Sequence, residues 1–507
     1  MACGVRSAVK PTRNRGRFAM RSMVRGLFVA AFLASGAHGQ SSRDVARHDA
    51  DGSSVVRTLG PAGWERASGA GYRTGIVWTL HDPVSIVESV AVGDTTNESW
   101  LAHNLNDERV SRLTTNGTGV PDFVYSMVAE DPGSVGVAGA ENASLGVVIS
   151  FPSGGPVRVR AFTNANGNVP IWTHTFAPAN NNASKRNADA SADGSVVAAA
   201  AYDGSTSTIV ILNGATGAVM NSFTRSGYVS GLEFSDDGSR LLLTNGATAE
   251  LVEVATLSTL RSFSVSGAGG FHRLSRDGKV IAAGGFNIRI DREVGGVWST
   301  AYTGTGSSEW FGWGMAVSGD GMFAVAASHN YAQGYLPNNY RVIDVSTGQV
   351  IATDGYVGSG GFQNSMVGAE ANSDGTIFTV ASWGDAVNTR PEVRIFDRSL
   401  NEIGSVDTIG SPFGLDMTID GRYVLVGAKS VHANTFGNGG MTYLYEVYEG
   451  DDCPADFNGD TVVNSLDFIA FLNAYTANDP RADFNGDTVI NSLDFIAFLN
   501  AYTAGCP

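Results

Sequence analysis

SDDGSRLLLT, residues 235–244, recurs along the chain with its outline kept. The outline returns in SADGSVVAAA (191–200), SRDGKVIAAG (275–284), SGDGMFAVAA (318–327), NSDGTIFTVA (372–381) and TIDGRYVLVG (418–427). Asp-Gly is a tight-turn pair, because glycine takes up positive φ without a steric penalty. The run behind each pair is apolar without alternation, which suits a strand buried on both faces. The Asp-Gly pairs lie 44, 40, 43, 54 and 46 residues apart.

Working outward from the phrase, a second strand follows each one, as in STIVILNGATGAV, YRVIDVSTGQV and EVRIFDRSLNEI, and it too closes in a turn. Several short strands in a period of 40 to 50 residues are the mark of propeller blades. The pattern resembles the WD40-like and YVTN-type β-propellers, although no Trp-Asp dipeptide ends the strands. Two degenerate modules precede it, near 90–127 and 135–187, and the last module shows only two clear strands. The early strand TGIVWTL (74–80) is expected to complete that last module and close the ring. The fold class is therefore mainly β: a propeller of seven or eight blades over residues 40–450. A stack of β-sandwiches is the rival architecture, but such domains run near 100 residues each.

Beyond Gly450 the chain changes character. DFNGDTVVNSLDFIAFLNAYTA (456–477) is repeated as DFNGDTVINSLDFIAFLNAYTA (483–504), with Val463 against Ile490 the one difference. Each copy places oxygen-bearing side chains at positions 1, 3, 5, 9 and 12: Asp456, Asn458, Asp460, Asn464 and Asp467, then Asp483, Asn485, Asp487, Asn491 and Asp494. Val462 and Val489, at position 7, would add a backbone carbonyl. Calcium is a hard cation taking six to eight oxygens, and a twelve-residue loop of this spacing wraps it. Two calcium ions are expected. An Asn/Asp-rich turn on an acidic surface is the plainer explanation of one such loop, and the second copy argues against it. Position 6, usually glycine, is Thr461 or Thr488, which predicts weaker affinity.

No room exists for a helix before the second loop. Loop then helix, twice, in a 27-residue repeat, resembles a dockerin, and CPAD (453–456) with Gly505-Cys506 resembles the GC-type subgroup over residues 451–507. The resemblance implies a small α-helical module with two EF-hand-like loops and a cohesin-like partner domain. It implies partner-facing residues at Ser465, Leu466, Phe468 and Phe471, and at Ser492, Leu493, Phe495 and Phe498. The apolar residues of LDFIAFLNAY cover more than one helix face, and packing on the sister helix is the alternative use for them.

Residues 1–39 carry seven basic residues and no acidic one, and their apolar stretch, Leu27 to Ser35, is too short to span a bilayer. Ala37-His38-Gly39 before Gln40 reads as a signal-peptidase site, so 1–39 is expected to be a signal peptide and the mature chain to have no transmembrane segment. The whole chain carries −16, which leaves about −23 on the mature part. That disfavours nucleic acid and anionic membrane as partners. Cys453 and Cys506 bracket the duplication and, in an exported chain, read as one disulfide, with two free thiols the alternative. Localisation is expected to be extracellular or at the cell surface.

No G-x-S-x-G, H-E-x-x-H, P-loop or C-x-x-C motif is present. The late blades carry long aromatic loops that share a face with the connections between blades. Trp310, Trp313, His329, Tyr331, Tyr335, Trp383 and His432 are expected to meet there and to hold a sugar or a protein; packing in blade seams is their alternative role. The sequence thus reads as an exported, non-enzymatic binding propeller tethered through a dockerin. A polysaccharide-degrading enzyme, a propeller-fold lyase or glycosidase, is the second reading, and a quinoprotein-like oxidoreductase the third.

Overall fold

Ser235 Oγ accepts the N–H of Arg240 at 3.0 Å and donates to Asp237 Oδ1 at 2.7 Å, while Asp237 Oδ1 accepts the N–H of Ser239 at 2.9 Å. The first bond returns in every copy of the phrase: Ser191 with Val196, Ser275 with Val280, Ser318 with Phe323, Asn372 with Ile377 and Thr418 with Tyr423, at 2.9 to 3.1 Å. The glycines that follow Asp have φ between 64 and 76°, the left-handed region that glycine occupies freely. A hydroxyl or carboxamide, an aspartate and a glycine are therefore what this turn requires.

These are features of a computed structural model, which describes residues 72–449 apart from 94–97, 105–106, 115–118, 128–132, 143, 153, 167, 268–269, 307, 362 and 433–438. It also describes Glu65–Arg66 and, in the C-terminal segment, 455–458, 462–485 and 489–504. The expected signal peptide, Cys453, Cys506, Asp460, Thr461, Asp487 and Thr488 lie outside the described residues.

Eight antiparallel sheets form, which decides between seven and eight blades. Blades 1 to 7 span 86–126, 133–175, 188–226, 229–264, 273–305, 309–357 and 366–406. Blade 8 takes three strands from 412–449 and its fourth from Tyr72–Asp82, which pairs with Gly440–Glu449 from Tyr72↔Glu449 to Asp82↔Gly440. The early strand thus closes the ring, as its sequence suggests.

The strand after each Asp-Gly turn is buried along its length, as in Ile377–Ser382 and Tyr423–Lys429. It lies between neighbouring blades, so both faces meet apolar partners. The outermost strands alternate, Val219–Ser226 being largely exposed on every second residue. Eight hydrophobic clusters result, one at each seam. Close packing there needs small residues: a Cβ on Gly146 would lie 2.4 Å from the Trp100 ring.

The second residue of each phrase ties neighbouring blades together. Ala192 N–H donates to Asp236 O (3.0 Å), Asp236 N–H to Arg276 O (2.8 Å), Arg276 N–H to Gly319 O (3.1 Å), Gly319 N–H to Asn372 O (3.3 Å) and Ser373 N–H to Ile419 O (2.7 Å). Asn142 N–H extends the chain of bonds to Ala192 O at 3.1 Å. A main-chain belt thus runs from blade 2 to blade 8.

In the C-terminal segment the two repeats form helices α1 (Ser465–Ala477) and α2 (Ser492–Ala504). Phe471 and its counterpart Phe498 stack at 4.2 Å with planes 3° apart, and both are fully buried. Phe457 and Phe484 lean on the same stack, and Phe468 meets Phe495 at 6.3 Å. The two copies are related by a local twofold through that stack.

Candidate functional site

The inner strands of the eight blades enclose a central cavity of about 1050 Å³. At the end carrying the Asp-Gly turns, Arg276 of blade 5 reaches Asp236 of blade 4 (Nε–Oδ2 2.8 Å) and Glu141 of blade 2 (Nη1–Oε1 2.5 Å), so an ion triad spans that end. Midway up the wall, Arg273 makes a bidentate pair with Glu370, with Glu233 at 3.5 Å. Asp416 accepts the N–H groups of Val92 (2.8 Å) and Met417 (3.0 Å), and Asp189 that of Phe234 (2.7 Å).

Burial pushes the carboxyl pKa of Asp416 up to about 8, helped by the charge of Glu370. Burial likewise raises Asp189 to about 7, and Glu233 to about 7 against the pull of Arg273. Each of these three carboxyls is therefore poised to hold or release a proton near neutrality.

The other end is the mouth. Lys185 lies 3.3 Å from Glu88 and 5.6 Å from the centre of the Phe413 ring, and Arg186 sits 4.4 Å over Phe271. Lys429, buried behind them, faces Trp383 at 5.7 Å and Phe413 at 5.6 Å, and burial lowers its pKa to about 8.

The aromatic residues singled out from sequence divide into two groups. Trp310 meets Trp313 edge-on at 4.8 Å and His329 at 5.4 Å, and His329 meets Tyr335 at 5.2 Å. Exposed Tyr331 packs on Phe286 instead. In the second group, His432 Nδ1 lies 3.3 Å from the Trp383 carbonyl and 3.5 Å from Glu392 Oε1. Only Trp313 and Trp383 reach the cavity. His329 is a correction: it is buried, its Nδ1 accepts the Met366 N–H at 3.1 Å, and burial pulls its pKa to about 4. Its Nδ1 is committed to the seam of blades 6 and 7, and its ring packs between Trp310 and Tyr335.

Sequence reading passed over the inner wall. Asp189, Glu233, Arg273, Glu370 and Asp416 each stand four residues before the Asp of an Asp-Gly turn, a charge in an otherwise apolar strand. That offset was the available signal. The mouth residues Glu88, Ser230, Val367 and Phe413 sit at register shifts of the inner strands, where a bulge re-aims a side chain. In blade 6 the inner strand is broken between Glu309–Trp310 and Met315–Val317, which carries Trp313 to the cavity.

In the C-terminal segment the loop-closing carboxylates are held alike. Asp467 Oδ1 accepts the N–H of Asn458 (2.9 Å) and Oδ2 that of Asn464 (2.8 Å); Asp494 does the same with Asn485 (3.0 Å) and Asn491 (2.8 Å). Asn464 and Asn491 cap the helices, their side-chain oxygens accepting the N–H of Leu466 (2.8 Å) and Leu493 (2.7 Å). Their contact to a cation would run through water, as position 9 often does. Among the described residues no three His, Cys, Asp or Glu side chains gather as a metal cluster; Asp460 and Asp487 lie outside them. The described donors are carboxylate and carboxamide oxygens, which fit a hard cation.

The partner-facing set also needs correction. Phe471 and Phe498 are core residues, and Phe468 and Phe495 are half-buried against them, because the two helices bury these rings on each other. The exposed large apolar groups of the two helices are Leu466 and Ile469 with Leu493 and Ile496, beside exposed Ser465 and Ser492; Val462 and Val489 are exposed in the loops.

No family model and no curated protein matches the chain significantly. Solved structures do match it. BamB from Moraxella catarrhalis aligns over 72% of this chain and all of its own at 15% identity and a TM-score of 0.49. Chaetomium thermophilum Sqt1, solved bound to the N-terminus of the ribosomal protein L10, aligns over 71% of this chain and 97% of its own at 15% identity and 0.52. The Dos1 propeller aligns over 73% and 93% at 11% identity and 0.51. The last two support the fold, a WD40-like β-propeller. Among the described residues no helix is long and apolar enough to cross a membrane.

Proposed function

We propose that this chain is an exported binding propeller, tethered outside the cell by a calcium-dependent, dockerin-like module that docks on a cohesin-like domain. The observation carrying this reading is the doubled loop. Two carboxylates, Asp467 and Asp494, close two loops through the same pair of backbone bonds, and the copies meet at the Phe471–Phe498 stack. The exposed leucines and isoleucines are then equivalent on both copies, so a partner can seat either way round. The propeller end of the molecule contributes the cavity, whose mouth takes a glycan or a protein segment between aromatic rings.

Calorimetric titration of the mature chain with calcium tests the tether. Two ions are expected to bind, and Asp456→Ala with Asp483→Ala to remove them; absence of calcium binding at millimolar concentration would defeat the assignment. Retention on an immobilised cohesin should require calcium and fall when Leu466, Ile469, Leu493 and Ile496 are all made serine.

A polysaccharide-degrading activity is the second reading, favoured by the cavity carboxyls of Glu233 and Asp416, whose raised proton affinity suits acid–base work. Release of shorter chains from a glycan panel, lost in Glu233→Gln, would establish it.

A further inference from the structure

Four cations line the cavity: Lys185, Arg186, Arg273 and Arg276. Three are matched by carboxylates of the wall, Lys185 by Glu88, Arg273 by Glu370, and Arg276 by Glu141 and Asp236. Arg186 is not. Its backbone is pinned, the N–H donating to Ser184 Oγ at 3.1 Å and the carbonyl accepting from Leu232 at 2.9 Å, and its guanidinium lies over Phe271. Among the described residues no acceptor takes a hydrogen bond from that guanidinium. Burial and the charge of Arg273 draw its pKa below the ordinary value. A half-buried, pre-oriented guanidinium fork with its donors unused is built to grip a carboxylate in bidentate fashion.

We propose that the cavity binds an acidic oligosaccharide, a chain carrying uronate carboxylates, and that Arg186 is the residue that selects the carboxylate. This rests on the reading above that the cavity is the ligand site. A sugar is favoured over an acidic peptide by what surrounds Arg186. Trp313, Trp383 and Phe413 give the wall ring-sized apolar faces of the kind pyranoses stack on. Asp189 and Glu233, near half-protonated at neutrality, and Asp416, mostly protonated there, line the cavity as both donors and acceptors, which is what neighbouring sugar hydroxyls need. At about 1050 Å³ the cavity reaches the top of the usual range for small-ligand sites, roughly 300–1,000 Å³, and has room for several rings.

The test is calorimetry on the full mature chain with an oligogalacturonate, the same oligosaccharide after reduction of its carboxyls, and a glutamate-rich peptide. The oligogalacturonate should bind about tenfold or more tightly than its reduced form, since a charged hydrogen-bonded pair is lost on reduction. Arg186→Gln should weaken the acidic form far more than the reduced one and so remove most of that difference, whereas Trp313→Ala should weaken both. Arg186→Lys, which keeps the charge and loses the fork, should weaken the acidic form alone and serves if the glutamine variant melts early. Equal binding of both forms, weakened by Trp313→Ala but not by Arg186→Gln, would overturn the carboxylate inference and leave the cavity as a ligand site. Binding of neither sugar would overturn the inference outright. Tighter binding of the peptide, lost in Arg186→Gln, would overturn it in favour of an acidic protein segment.

Discussion

Glu392 lies buried at the seam of blades 7 and 8, one oxygen accepting the Thr408 N–H at 2.8 Å and the other 3.5 Å from His432 Nδ1. Burial raises its pKa to about 8, with the charge of Asp407 adding to the shift and the Thr408 bond opposing it. The folded chain therefore keeps a proton that the unfolded chain gives up near the ordinary carboxyl value. The stabilisation is complete below that value and is lost as pH rises through about 8. Glu392→Gln should match the wild type near pH 5 and melt at a higher temperature than the wild type near pH 8.5; equal melting differences at both pH values would count against the burial argument. Residues of this kind are hard to foresee. A lone Glu before a strand, or the Lys185-Arg186 pair before another, reads as solvent-facing charge. Only closure of the ring turns the inner strands toward one another and makes such charges interior. Phe471 and Phe498 misled for a related reason: helices apolar on several faces do not announce which face meets the sister copy.

Turns were the most legible elements, because their chemistry is local. Ser275→Ala would strip the Val280 N–H of its acceptor (2.9 Å) and remove the bond to Asp277 Oδ1 (2.7 Å). A buried unsatisfied donor costs about 1–3 kcal/mol, readable as a lower urea midpoint with unchanged slope. Gly278→Ala should cost at least about 1 kcal/mol from its φ of 70°, and its Cβ would meet Arg240 Cδ at 2.6 Å. The inner-strand bulges were not legible, since no residue type marks them, yet they aim Glu88, Ser230, Val367 and Phe413 at the cavity. In the helical pair, Phe471→Ala and Phe498→Ala should each destabilise the segment by about 3–5 kcal/mol. The double variant should lose less than the sum, because both remove one shared stack. Calcium-dependent melting of the four species would measure that coupling, and strict additivity would mean the rings do not depend on each other.

For the molecule as a whole, the ring is held by eight seams, by the belt of main-chain bonds beside the Asp-Gly turns, and by the strand Tyr72–Asp82 in blade 8. Blade number was ambiguous in sequence because the first two blades lack the Ser-x-Asp-Gly phrase; blade 2 turns instead through Ala140 and Leu145, joined by a 2.8 Å backbone bond. The closing strand was legible because TGIVWTL is apolar and blade 8 lacked a member. A chain beginning at residue 83 should melt broadly and at lower temperature, and a peptide of residues 65–82 added in trans should restore a single transition. Failure of the peptide to bind the shortened chain would place closure elsewhere. That closing strand also sets a timetable. A ribosome makes residues 72–82 about 360 residues ahead of their pairing partner, 440–449, with seven other blades in between. At 5–20 residues per second the first strand waits roughly 20–70 s for its mate. During that interval each blade can form as it emerges, but blade 1 has no neighbour on one side and its apolar flank, Val87, Val90 and Leu101, stays uncovered. The nascent chain is thus a sticky, open arc until its final strand of propeller arrives, and it is most vulnerable just before that strand emerges.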